Sequence, residues 1–251
     1  MTPQIPGYVL SLESVLRPLV MAIALGLIWL GAARMPASAK SRYTTAGVLS
    51  VVLIGWEAVA QYLGAANTYL ATVENPPAVP TILFGLLIPL AVAAIGWQSE
   101  SVARLVSAIP LHWLVAAQVY RVAGGIFLVL WADGHLPWQF ALPAGIGDVT
   151  TGIVAVVVAA CLARNAIGAE TATYAWSLFG MADLVVAIAM GAMTSPGQVH
   201  FLALDAPNLL VTAYPLVMVP TFAVPLALML HGLVLLRLRR GAAATGRLAA
   251  A

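Results

Sequence analysis

Seven apolar runs dominate this sequence, at 17–35, 45–66, 79–96, 111–132, 140–163, 173–194 and 208–236. Each is close to the ~20 residues that an α-helix needs to cross a hydrocarbon core. Hydrophobic residues make up 62% of the chain and its mean hydropathy is +0.99, a balance foreign to soluble globular domains. A transmembrane barrel would show short alternating segments instead. The expected class is an all-α, polytopic membrane protein. It is read as a seven-transmembrane-helix bundle over 17–236, with an N-terminal segment 1–16 and a basic tail 237–251. Segment 1–16 has neither the basic region nor the small-residue cleavage pattern of a signal peptide. Its Val9, Leu10, Leu12, Val15 and Leu16 suit one face of an interfacial helix.

The basic residues are unevenly placed. Arg34, Lys40 and Arg42 follow the first run, Arg104 the third and Arg164 the fifth. Arg237, Arg239, Arg240 and Arg247 follow the seventh, while Arg17 stands at the mouth of the first. The positive-inside rule therefore puts the N-terminus outside and the C-terminus in the cytoplasm of a cell's inner (plasma) membrane, multi-pass. The opposite face carries Glu74, Asp133, His135, His200 and Asp205. No basic stripe exists, so no nucleic-acid partner is expected; the partners implied are membrane lipid and a small-molecule or ion ligand. Small-xxx-small spacings are too abundant to set an oligomeric state.

Within the runs stand four ionisable residues: Glu57, Arg121, Asp148 and Asp183. Each costs about 2.5–3.5 kcal/mol at mid-membrane if unpaired. They fall on four different runs, which is how bundles converge side chains into a site. Gln61 shares a helical stripe with Glu57, and Gln118 precedes Arg121 by one turn. Tyr214 and Thr221 form a similar polar stripe on the last run. The candidate ligand- or proton-binding set is thus Glu57, Gln61, Gln118, Arg121, Asp148, Asp183 and Tyr214. Three carboxyls face one guanidinium. Arg121 balances one or bridges two, so at least one carboxyl is left to hold a proton, an ion or a cationic ligand. The bland counterpart is an Arg–Asp pair that only pins helices together.

Two stretches disturb the helical pattern. Leu142-Pro143-Ala144-Gly145-Ile146-Gly147-Asp148 suggests a break inside a span, with Asp148 as a possible cap. Pro215, Pro220 and Pro225 suggest kinks in the last run.

The sequence names no cofactor. Cys161 is the only cysteine, which excludes an intrachain disulfide. His135, His200 and Asp205 form a candidate outer metal site, and His112 with His231 a candidate haem pair. A retinal Schiff base is excluded, because the single lysine, Lys40, lies between runs. The leading expectation is a protein that binds or transports a small solute or ion with proton coupling. The alternatives are an intramembrane enzyme acting on a lipid or isoprenoid-like substrate and a non-catalytic accessory subunit.

Overall fold

The computed structural model describes residues 3–77 and 81–249, with side chains through Arg240. The start of the third apolar run at 79 and the side chain of Arg247 lie outside the described residues. The chain is all-helical, with no strand among the described residues. The α-helices are α1 (Gly7–Arg34), α2 (Ala39–Ala65), α3 (Ile82–Gly96), α4 (Glu100–Ala108), α5 (Leu111–Ala116), α6 (Ile126–Ala132), α7 (Trp138–Ala163), α8 (Ala169–Thr194) and α9 (Val224–Ala249).

Among the described residues, six helical stretches are long and apolar enough to cross a membrane: α1, α2, Leu111–Ala132, α7, α8 and Val219–Arg240. The expected third span differs. Its α3 has 15 residues, about 22 Å of helix against a ~30 Å core. It passes as a span only together with α4, from which it is bent by 97°. The protein is a multi-pass membrane bundle, with six spans among the described residues, or seven if that bent pair is one. Large apolar side chains such as Val51, Val59, Ile95 and Val185 remain exposed on it, as lipid-facing residues are.

Local chemistry sets several boundaries. Pro6, Pro110 and Pro137 stand at the N-caps of α1, α5 and α7, where a missing N–H costs nothing. The Ser38 hydroxyl caps α2 by accepting from the Ser41 amide at 3.3 Å. Asn67 and Asn165 follow α2 and α7 in the left-handed conformation that asparagine tolerates. The first helix begins earlier than the apolar run does. Residues 7–16 are the first turns of α1, not a separate interfacial helix, and Arg17 therefore lies well inside it.

Two irregular segments position the site. Ala117–Gly125 winds as a 3₁₀ helix between α5 and α6. With three residues per turn, Gln118, Arg121 and Gly124 fall on one row. Residues 213–217 are not α-helical, and a π-helix at Val219–Ala223 leads into α9. The predicted break at Pro143 is absent: Pro143 sits in the second turn of an unbroken α7, so Asp148 is mid-helix and caps nothing. The irregular backbone lies instead at 208–217, where Val211, Leu216 and Val217 are buried in protein. Pro225 cannot donate to the carbonyl four residues back, and the Trp56 indole N–H donates to that Thr221 carbonyl at 3.1 Å. α7 is central, packing on α5, α6, α8 and the 3₁₀ segment.

Candidate functional site

Arg121 is the centre of the buried polar network. Its Nε donates to Asp148 Oδ1 at 2.7 Å, and Nη2 donates to Asp183 Oδ2 at 2.5 Å. Nη1 donates to the Gly180 carbonyl at 3.3 Å and faces His231 Nε2 at 3.2 Å. One guanidinium thus ties the 3₁₀ segment to α7, α8 and α9. Its planar fork is what allows four partners in four directions.

The donor facing Nε2 requires a lone pair there, which assigns the His231 proton to Nδ1. Nδ1 lies 3.0 Å from Ser177 Oγ, and Ser177 donates back to the His231 carbonyl at 3.4 Å. Trp176 packs on the imidazole with ring centroids 4.7 Å apart, and its indole donates to the Thr151 carbonyl at 3.0 Å. Gln118 Nε2 donates to the Ala227 carbonyl at 3.0 Å, and the Tyr120 hydroxyl to the Ala223 carbonyl at 3.1 Å.

Two glycines make the close approach possible. A β-carbon on Gly147 of α7 would overlap the Asp183 carboxylate, and one on Gly180 of α8 would overlap the His231 ring. Both positions are helical, so glycine serves there for space and not for a turn.

The network carries one guanidinium and two carboxylates, so it holds one surplus negative charge when both acids are ionised. Arg121 is sealed, with 2% of its side chain exposed, whereas Asp148 keeps 16%. Asp148 opens onto two cavities that share a wall of Phe127, Asp148, Leu184, Val219 and Val224. The larger, about 300 Å³, follows one stripe of α8 from Leu184 through Ile188 and Gly191 to Ser195, a length of about 16 Å. Its far end is formed by Tyr69, Thr81 and Thr212. Burial raises the Tyr69 phenol above its ordinary range, so it stays a neutral hydroxyl at physiological pH. Asp148 is then the one charged side chain lining this chamber among the described residues.

The smaller cavity, about 110 Å³, separates Asp148 and Arg121 from Glu13 and Arg17 of α1. Here the sequence expectation needs correcting. Glu57 does not join Arg121: it pairs with Arg17 Nη1 at 3.1 Å, and Arg17 Nε lies 2.8 Å from Glu13. Arg17 lies inside α1 and not at its mouth, which is what brings this second cluster together. Gln61 on α2 is not a partner of Arg121 either, and Tyr214 lies beside Gly64 of α2.

The outer residues stay apart. Among the described residues no group of three or more His, Cys, Asp or Glu side chains could hold a metal, so His135, His200 and Asp205 do not converge. They lie in separate segments, 133–137 and 195–209. Asp133 instead accepts from the Tyr8 hydroxyl at 2.8 Å. A haem held by His112 and His231 is also ruled out in this arrangement, because both His231 ring nitrogens face protein partners.

Sequence reasoning missed His231 as a network member, along with Ser177, Gly147 and Gly180. A signal was present on α8, where Ser177, Gly180 and Asp183 follow one another at intervals of three residues. No curated protein and no solved structure matches the chain. The family model described as "Domain of unknown function (DUF8737)" matches residues 77–239, a stretch that holds Arg121, Asp148, Asp183 and His231, and the chain belongs to that family.

Proposed function

We propose that this chain binds and transports a small solute with proton coupling, in the plasma membrane of a bacterial cell. The solute enters the chamber between the 66–77 and 195–212 segments and meets the network at Asp148. The surplus carboxyl of the Asp148–Arg121–Asp183 set exchanges the proton. The observation that carries this reading is the charge imbalance beside a cavity. A network that only fixed helix packing would need no extra acid, and would have no reason to present it to open space.

The orientation has the chamber mouth outside and the basic end in the cytoplasm. The basic connections support this. Arg237 donates to the Val106 and Ile109 carbonyls at 3.1 and 2.8 Å, so the basic end of the Val219–Arg240 span meets the end of α4 and the residue that follows it. With Arg17 inside α1, the outer connections carry no Lys or Arg among the described residues.

The enzyme reading gains no support from the Ser177–His231 pair. Its 3.0 Å spacing suits a nucleophile and base, yet both side chains are fully buried and neither lines a described cavity.

A carbodiimide that partitions into membranes reports on this directly, because it reacts with protonated carboxyls in apolar surroundings. Dicyclohexylcarbodiimide treatment followed by peptide mass spectrometry should place an adduct on Asp148, formed faster at acid than at alkaline pH. The adduct should vanish in Asp148→Asn. An unlabelled Asp148 at every pH, in protein labelled elsewhere, would sink the proposal.

A further inference from the structure

We infer that the chamber takes a small lipophilic organic cation, an amine or quaternary ammonium on an alkyl or aromatic body; this rests on the binding reading above. Three observations lead there. First, the chamber's about 300 Å³ lies at the lower bound of small-molecule pockets and its wall is almost wholly apolar. The body of the ligand must therefore be apolar.

Second, the accessible charge is negative. Arg121 spends its fork on Asp148, Asp183, Gly180 and His231 and is almost fully buried, so it is closed to an anion. Asp148 alone among the network acids reaches the chamber. A bare inorganic divalent cation is a poor match, because it demands six or more oxygen ligands. A quaternary nitrogen asks for no coordination shell and is weakly hydrated.

Third, Phe127 and Phe140 line the chamber together with Asp148. Their rings meet edge to face, 5.2 Å apart and inclined by 69°. Aromatic faces beside a carboxylate are the surroundings in which an organic cation is held by charge and by the ring quadrupoles at once.

The test uses the full chain in lipid nanodiscs and tritiated benzyltrimethylammonium, with unlabelled benzyltrimethylammonium, benzyl alcohol and benzenesulfonate as competitors. Saturable binding is expected, displaced by the unlabelled cation and hardly by the alcohol or the sulfonate. Asp148→Asn should weaken it by about tenfold or more. Gly191→Leu should weaken it comparably while leaving every charge in place. A β-carbon at Gly191 meets nothing closer than Phe140 at 3.6 Å, an ordinary contact, so the added side chain starts beside that ring in the chamber wall. It keeps the proposal testable even if Asp148→Asn misfolds. Equal binding by wild type and Gly191→Leu, or displacement by benzenesulfonate as effective as by the cation, would overturn the proposal. That failure is separable from failure of the transport reading, because carbodiimide labelling of Asp148 needs no bound cation.

Discussion

Arg121→Met is expected to destabilise the folded protein by about 3–5 kcal/mol, the cost of stranding buried charge after one partner of an ion pair is removed. Here the loss falls on two acids at once. Asp148 and Asp183 would lose their shared cation, and the Gly180 carbonyl and His231 Nε2 would lose a donor. Folded domains hold only about 5–15 kcal/mol in reserve, so a severe fall in monodisperse yield and in the thermal midpoint in detergent should follow. The triple variant Arg121→Met/Asp148→Asn/Asp183→Asn should recover most of that loss, because removing all the charges removes the stranded ones. Recovery would show that the charges are not required for folding, as expected of a site kept for chemistry. A triple variant as damaged as the single one would mean that the network is a clamp.

Gly147→Ala should reverse the usual sign of its class. Replacing a helical glycine by alanine ordinarily stabilises by up to about 1 kcal/mol. At Gly147 the new β-carbon would occupy the place of the Asp183 carboxylate and force it off Arg121. We expect a net destabilisation of about 2–4 kcal/mol, close to the cost of breaking a buried pair. Gly26→Ala in α1 and Gly55→Ala in α2 are the controls, because an added β-carbon meets nothing within 4 Å at either site. Thermal unfolding of the three variants side by side checks the prediction. A Gly147→Ala protein as stable as its controls would show that α7 and α8 can shift apart without loss.

The sequence made the spans and three of the four central charges readable for one physical reason: a charge inside an apolar run is costly and therefore conspicuous. Arg121, Asp148 and Asp183 stood out on that ground and do meet. Glu57 stood out equally, but its true partner was hidden. Arg17 looked external because the polar residues around Glu13 masked the early start of α1 at Gly7. His231 drew notice only as a haem candidate, because a neutral imidazole carries no such penalty and its place in the network depends on Ser177 and Arg121, which are distant in sequence.

Backbone irregularity was harder to locate. Proline and glycine marked both 142–148 and 215–225 as suspect. A single proline in the second turn of α7 was absorbed, whereas three prolines spaced five apart removed too many donors for a continuous α-helix. The 3₁₀ winding of 117–125 left no comparable mark. Within it Gln118, Tyr120 and Arg121 each reach a partner on another helix, and no local pattern records those distant partners.

The central claim is that the surplus carboxyl beside the chamber takes up and releases a proton. Infrared difference spectroscopy of the protein in lipid, stepped between alkaline and acid pH in light and heavy water, measures this at the bond concerned. The account predicts a carbonyl stretch of a protonated carboxyl that grows on acidification, shifts in heavy water and disappears in Asp148→Asn. A spectrum with no such band, or a band left unchanged by both Asp148→Asn and Asp183→Asn, would contradict it.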